Sequence, residues 1–234
     1  MPKAAAPVSA DSPWARWHVA IAETTPAAPL CLSLANTRNW RHATTPVEHL
    51  HEYADVLRWG EKRGLLDAGE VLRLAAAAGA RVRVARAEFA ATLALREAIY
   101  RVFSARAHFR EVDASDVASI GASFNDAVAE LELVVVDGKL IARARRVEAG
   151  LEAMRLHAAL SAVSLLTSEF ASKVKECADD RGCGWLFLDR TRNGSRRFCF
   201  SNECGNRARQ VAFRRRHQHT GADRLAANAS LAEE

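Results

Sequence analysis

Four of the five cysteines, Cys177, Cys183, Cys199 and Cys204, fall within 28 consecutive positions, and only Cys31 stands apart. They form two pairs, Cys177-x5-Cys183 and Cys199-x4-Cys204. Between the pairs lies a hairpin pattern, Trp185–Asp189 and Arg196–Phe200, turned by Arg192-Asn193-Gly194-Ser195. Zn²⁺ takes four ligands in a tetrahedron, and each pair would supply two from one short loop. So small a segment buries little apolar area, and bound zinc would supply its folding energy, about 10–16 kcal/mol in finger peptides. Disulfides or inert buried thiols are the competing readings. A cytosolic setting keeps thiols reduced, and inert thiols have no reason to gather in pairs. Cys31, inside LCLSL, reads as a core residue.

Charge gathers in the same segment. The 234-residue chain carries a formal net charge of +5. Residues 1–176 hold 22 basic and 21 acidic groups; residues 177–219 hold 10 Arg, no Lys and four acids; residues 220–234 hold one basic and three acidic groups. The excess therefore sits with the cysteines. An arginine fork pairs with phosphate oxygens better than a lysine ammonium does, and such a patch binds nucleic acid with strong salt dependence.

The elements that must position these groups read as mostly helical. Residues 1–28 hold four of the six prolines and are expected to be loosely ordered. Thr45-Pro46-Val47-Glu48 has the form of a capping box with Pro at the first helical position, predicting a helix to about Arg63 with Gly64 as its cap. Asp67-Ala68-Gly69-Glu70 repeats the start signal. Longer helices are predicted over roughly 83–106, 115–130 and 147–175. The first carries an apolar stripe of Phe89, Leu93, Ala94 and Ile99. Leu131–Ile141 breaks the pattern as a hairpin around Asp137-Gly138. No apolar run reaches the length of a membrane span, and the N-terminus lacks the core of a secretory signal, so a cytoplasmic protein is expected.

Cys204-Gly205-Asn206-Arg207, with Gly184-Trp185-Leu186-Phe187-Leu188-Asp189-Arg190 and Arg196-Arg197-Phe198-Cys199 before it, resembles the CGNR zinc finger. The N-terminal part resembles the ABATE domain through Leu30-Cys31-Leu32-Ser33-Leu34-Ala35-Asn36-Thr37 and Leu95-Arg96-Glu97-Ala98. Phe198 stands where the family usually has Trp, Phe200 replaces a small residue, and Ser33 replaces the usual Asp. The N-terminal part reads as a mainly α (α+β) domain with a small β-hairpin, and the resemblance implies a treble-clef-like finger after it. It further implies four cysteine ligands to Zn²⁺ and a bacterial, stress-linked transcription regulator. The expected divisions are 1–28, 29–175 (ABATE-like, hairpin near 131–144), 176–219 (finger) and 220–234 (tail). In a treble clef, Cys204 lies in the first turn of a helix running to about His217. That helix presents Arg207, Arg209, Arg214, Arg215 and Arg216, with Arg196 and Arg197 adding to one DNA-binding patch.

Asn36, Thr37, Trp40 and Arg96 interrupt apolar patterns and are candidates for sensing a small ligand, with Asn36, Thr37 and Arg96 the nominated contacts. Their structural alternatives are a turn, a core edge and a solvated helix face. No nucleophile elbow, zincin, P-loop or dinucleotide motif is present, so no enzyme is expected. The leading expectation is a zinc-dependent, DNA-binding regulator. The alternative is a finger that docks proteins without nucleic acid. A homo-oligomer is left open.

Overall fold

The computed structural model describes residues 29–136, 138–144, 150–214 and 216–217. Among these, helices dominate: α1 (Leu30–Ala35), α2 (Tyr53–Lys62), α3 (Ala68–Ala80), α4 (Val82–Ala107), α5 (Ala114–Ala129) and α6 (Ala153–Leu166). A further helix, α7, begins at residue 204. Three antiparallel strand pairs accompany them: β1 (Arg38–Asn39) with β2 (Val47–Glu48), β3 (Leu131–Val136) with β4 (Lys139–Ala144), and β5 (Val174–Glu176) with β6 (Leu186–Leu188). This is the expected mainly α domain with a hairpin and a small C-terminal finger.

The helical core forms where α1, α4 and α6 meet, around Leu32, Leu34, Leu95, Ile99, Phe103 and Met154, all nearly inaccessible. Burying one such side chain contributes about 1.5–3 kcal/mol. Cys31 belongs to this core, and its burial pushes the thiol up to about 12. On α4 the buried stripe is Ala85, Thr92, Leu95, Ile99 and Phe103, while Ala94 faces outward.

Several local signals hold and others are overridden. Asp67 caps α3, accepting from the Glu70 amide at 2.8 Å while Glu70 accepts from the Asp67 amide at 2.8 Å. Gly64 takes φ +69° just beyond α2, a left-handed cap that suits glycine. The hairpin pairs Leu131 with Ala144 through to Val136 with Lys139, and Gly138 takes φ +74° in its turn. Asp137 lies outside the described residues, as do the expected loose segment 1–28 and the tail, 220–234.

Thr45-Pro46-Val47-Glu48 does not open a helix. Val47 and Glu48 pair with Asn39 and Arg38 instead. Glu48 is drawn away by Arg96 and by the amides of His49 and Leu50. The helix starts seven residues later, at Tyr53, where Asp55 accepts from the amides of His51 and Glu52. The helix predicted over 147–175 is shorter too. It ends at Leu166, Ser168 caps a 3-10 turn at Glu169–Lys173, and Val174 enters β5.

Candidate metal centre and nucleic-acid interface

The four clustered cysteines converge. The sulfurs of Cys177, Cys183, Cys199 and Cys204 all lie within 4.8 Å of one another, and all four side chains are buried. Cys199 Sγ stands 3.7 Å from Cys183 Sγ and 3.7 Å from Cys204 Sγ. A tetrahedron with Zn–S bonds of about 2.3 Å has edges of about 3.8 Å. The sulfurs therefore fit Zn²⁺ and are too far apart to be disulfide-bonded. Hydrogen bonds from Cys183 and Cys199 favour a thiolate at Cys177, and that same contact pushes the Cys199 thiol up. Four thiolates this close coexist only around a cation.

Backbone geometry builds each corner. Cys177 leaves β5, and its amide donates to the Trp185 carbonyl at 2.9 Å. Cys183 sits between Gly182 (φ +88°) and Gly184 (φ +65°). A Cβ on Gly182 would stand 2.4 Å from the His42 carbonyl carbon, so only glycine lets this loop approach residues 41–43. The Cys199 amide points at Cys177 Sγ at 3.4 Å. Cys204 lies at the start of α7, as expected. Phe200 packs edge-on against Trp185, with ring centroids 5.5 Å apart.

The expected strand pairing of 185–189 with 196–200 is not formed. Leu186–Leu188 pairs with Val174–Glu176, while residues 196–200 carry no strand and run beside Cys177, the Ala178 amide donating to the Arg197 carbonyl. The asparagine-glycine turn survives, with Gly194 at φ +60°. Asp189 organises it. This carboxylate is 1 % exposed and accepts from Lys175, from the Thr191 amide and hydroxyl, and from the Arg196 amide. Burial pushes its acid up, but the Lys175 and Thr191 hydrogen bonds outweigh that and hold it at about 2.

The seven nominated arginines divide. Arg196 folds inward: it donates to the carbonyls of Phe198 and Cys199, and its guanidinium lies 4.5 Å from the Phe187 ring centre. Arg207 pairs with Asp180 at 2.6 Å and approaches Asp179 at 3.8 Å. Arg197, Arg209, Arg214 and Arg216 are exposed, Arg209 donating once to the Ser201 carbonyl. Arg215 lies outside the described residues.

Asn36, Thr37 and Arg96 are all buried, so Arg96 is not on a solvated face. Asn36 Nδ2 donates to the Leu186 carbonyl at 2.8 Å, and the Leu186 amide donates back to Asn36 Oδ1 at 2.9 Å. Arg96 holds both oxygens of Glu48 at 2.6 and 2.7 Å, and also donates to Glu97 and Thr37. Glu97 in turn holds Arg41, whose guanidinium also reaches the Ala35 carbonyl and stacks 3.8 Å from the Tyr100 ring centre. Ser33 accepts from the Trp59 indole at 3.1 Å.

Sequence reasoning missed Glu176. Its carboxylate accepts from Ser104 at 2.6 Å and Tyr100 at 3.1 Å, and lies 2.5 Å from His42 Nε2. With Asn36 it fastens the finger to the helical domain. Only its place next to Cys177 could have flagged it.

Compared with known families, residues 28–169 match the ABATE family model, described as "Putative stress-induced transcription regulator". Residues 173–217 match the CGNR zinc finger. No curated protein matches the chain. The buried four-sulfur site is that of a zinc finger, and its metal is Zn²⁺.

Proposed function

The chain belongs to the ABATE family and carries a CGNR zinc finger, and from that premise we propose that it is a zinc-dependent, DNA-binding transcription regulator. One observation carries the reading: Arg209, Arg214 and Arg216 lie exposed on the helix that starts at Cys204. Arg197, exposed on the segment leading into Cys199, adds to it. These forks suit paired contacts with phosphate oxygens.

The zinc has a structural part in this proposal. Four thiolates close its shell and leave no position for a reactive water, so no catalytic step is assigned to it. It pins the first turn of α7 against β5 and the Gly182–Gly184 loop, which fixes the direction in which the arginines project. All five cysteines are free of disulfides. Among the described residues, no helix is long and apolar enough to cross a membrane.

Ligand sensing by the N-terminal domain belongs to the same proposal in an altered form. The polar groups of Asn36, Thr37 and Arg96 are already engaged within the chain. A ligand meeting them has to displace Glu48 or Leu186, and would thereby act on the finger. The protein-docking alternative expects finger arginines paired with the N-terminal domain or with a second subunit. The partners of Arg196 and Arg207 lie inside the finger itself.

The test is a salt titration of duplex-DNA binding by the zinc-loaded chain, read by fluorescence anisotropy. Affinity should fall steeply with salt, and each lost phosphate contact should flatten the log–log slope by about 0.9. Replacing Arg209, Arg214 and Arg216 together by Ala should weaken binding and flatten the slope at unchanged zinc content. Absence of binding at low salt, with zinc present, sinks the reading.

A further inference from the structure

A cleft of about 620 Å³ opens between the end of α4 and the finger, lined by Arg106, Phe109, Arg110, Lys175, Arg196 and Arg197 among others. Its size is that of a small-molecule site. Phe109 is its oddest member. It is 99 % exposed and holds φ +53°, the left-handed region that bulky side chains avoid. It occupies the αL position that ends α4: its amide donates to the Arg106 carbonyl at 3.1 Å, and the Arg110 amide reaches back to Ala105 at 2.8 Å. Glycine is the usual residue there, because it takes this conformation without strain. A phenylalanine at this position is strained locally and buries nothing. Neither folding nor packing accounts for it, and such outliers gather at ligand sites.

The charges around Phe109 specify the ligand. Lys175 is spent on Asp189, and Arg196 on backbone carbonyls. Glu176, the carboxylate of the cleft, is occupied by Ser104, Tyr100 and His42, with His108 3.4 Å away. Three guanidinium groups remain to receive an anion. Arg106 and Arg197 are exposed, and Arg110 makes one hydrogen bond to the Ser104 hydroxyl at 3.0 Å. The amides of residues 108–110 cap the last carbonyls of α4, which offsets the negative end of that helix.

An exposed aromatic face ringed by arginines matches a molecule that is flat and aromatic at one end and anionic at the other. We propose that this cleft binds a nucleotide, its base stacked on Phe109 and its phosphate held by Arg106, Arg110 and Arg197. The source is a free mononucleotide or an unpaired nucleotide of a strand. The site joins the helical domain to the finger, so an occupant touches both. It does not depend on the finger binding duplex DNA.

The zinc-loaded chain would be titrated calorimetrically with AMP, with CMP, with a single-stranded oligonucleotide, and with inorganic phosphate as the control. A nucleotide probe should bind more tightly than inorganic phosphate. Phe109→Gly should weaken that binding about tenfold or more, since base–aromatic stacking carries this much, while Tm holds or rises because glycine relieves the strain. Phe109→Trp should retain binding, and Arg106→Gln with Arg110→Gln should lose it. Saturable binding of AMP or CMP identifies a free nucleotide; binding of the oligonucleotide alone identifies a strand. The proposal is overturned if no nucleotide probe binds, if inorganic phosphate binds equally well, or if Phe109→Gly binds like the parent. Duplex binding by the Arg209, Arg214 and Arg216 variant, measured in parallel, reports on the finger separately.

Discussion

Asn36 and Leu186, 150 positions apart, exchange two hydrogen bonds, the side-chain amide of one meeting both backbone groups of the other. Strand β6 uses alternate residues to bond its neighbour: Trp185 accepts from Cys177, and Asp189 donates to Lys173. Leu186, lying between, turns its N–H and C=O the other way, into the helical domain. Asn36 takes the place of a third strand there and satisfies both groups.

Asn36→Ala should therefore leave a buried donor and a buried acceptor unpaired. The expected loss is about 2–6 kcal/mol, from about 1–3 kcal/mol for each of the two orphaned groups. Hydrogen exchange at the Leu186 amide should speed up, with zinc still bound. Unchanged protection at that amide would contradict the role.

Cys199→Ser should cost the finger its fold and leave the helical domain in place. Cys199 Sγ stands 3.7 Å from two of the other three sulfurs, and serine supplies no comparable zinc ligand. Metal analysis should show zinc lost, and near-ultraviolet signals of Trp185 should collapse while helical circular dichroism largely persists. A chelator should reproduce this on the parent protein. An unaltered melting profile on either route would refute a structural zinc.

Glu48→Gln should destabilise the helical domain by about 3 kcal/mol, because it strips the charge that faces the buried Arg96. Glu97 remains as a partial partner at 2.9 Å, which sets the loss at the lower end of the range for broken buried pairs. Replacing Arg96 and Glu48 together by Leu and Gln should recover part of the loss. Urea midpoints of the single and double variants measure the coupling.

His157, on α6, supplies a pH dependence. Burial pushes its imidazole down from 6.5 to about 4. The folded protein thus takes up this proton only near pH 4, whereas the unfolded chain takes it up near pH 6.5. Its contribution is intact above about pH 6.5 and lost progressively as pH falls toward 4, to about 3 kcal/mol in all. Urea titrations across this window should show a shallower decline for His157→Leu than for the parent. Parallel curves would contradict a buried neutral imidazole.

Features whose cause lies within a few residues were legible in advance. The Asp67–Glu70 box, the glycine after α2 and the hairpin around Gly138 all appear where local chemistry put them, while the helix starting at Cys204 was expected from the resemblance to the CGNR finger. The false helix start at Thr45 shows the limit. Its pattern is a valid cap, but Glu48 gains more from pairing with Arg96, which is 48 positions away. The finger hairpin failed similarly. The turn at Asn193-Gly194 forms, yet β6 takes as partner the strand that enters Cys177.

By itself the sequence determined that four thiols cluster, that most of the chain is helical, and that the arginine excess belongs to the last quarter. These are matters of composition and spacing, which the chain carries before it folds. The tertiary structure alone decided how Arg96 and Arg207 are spent, since these two acquire their partners only through packing. It also decided that Asn36 and Glu176 tie the finger to the helical domain, and that Phe109 is held strained beside a basic cleft. Burial and long-range hydrogen bonding set these outcomes, and neither has a signature in local sequence.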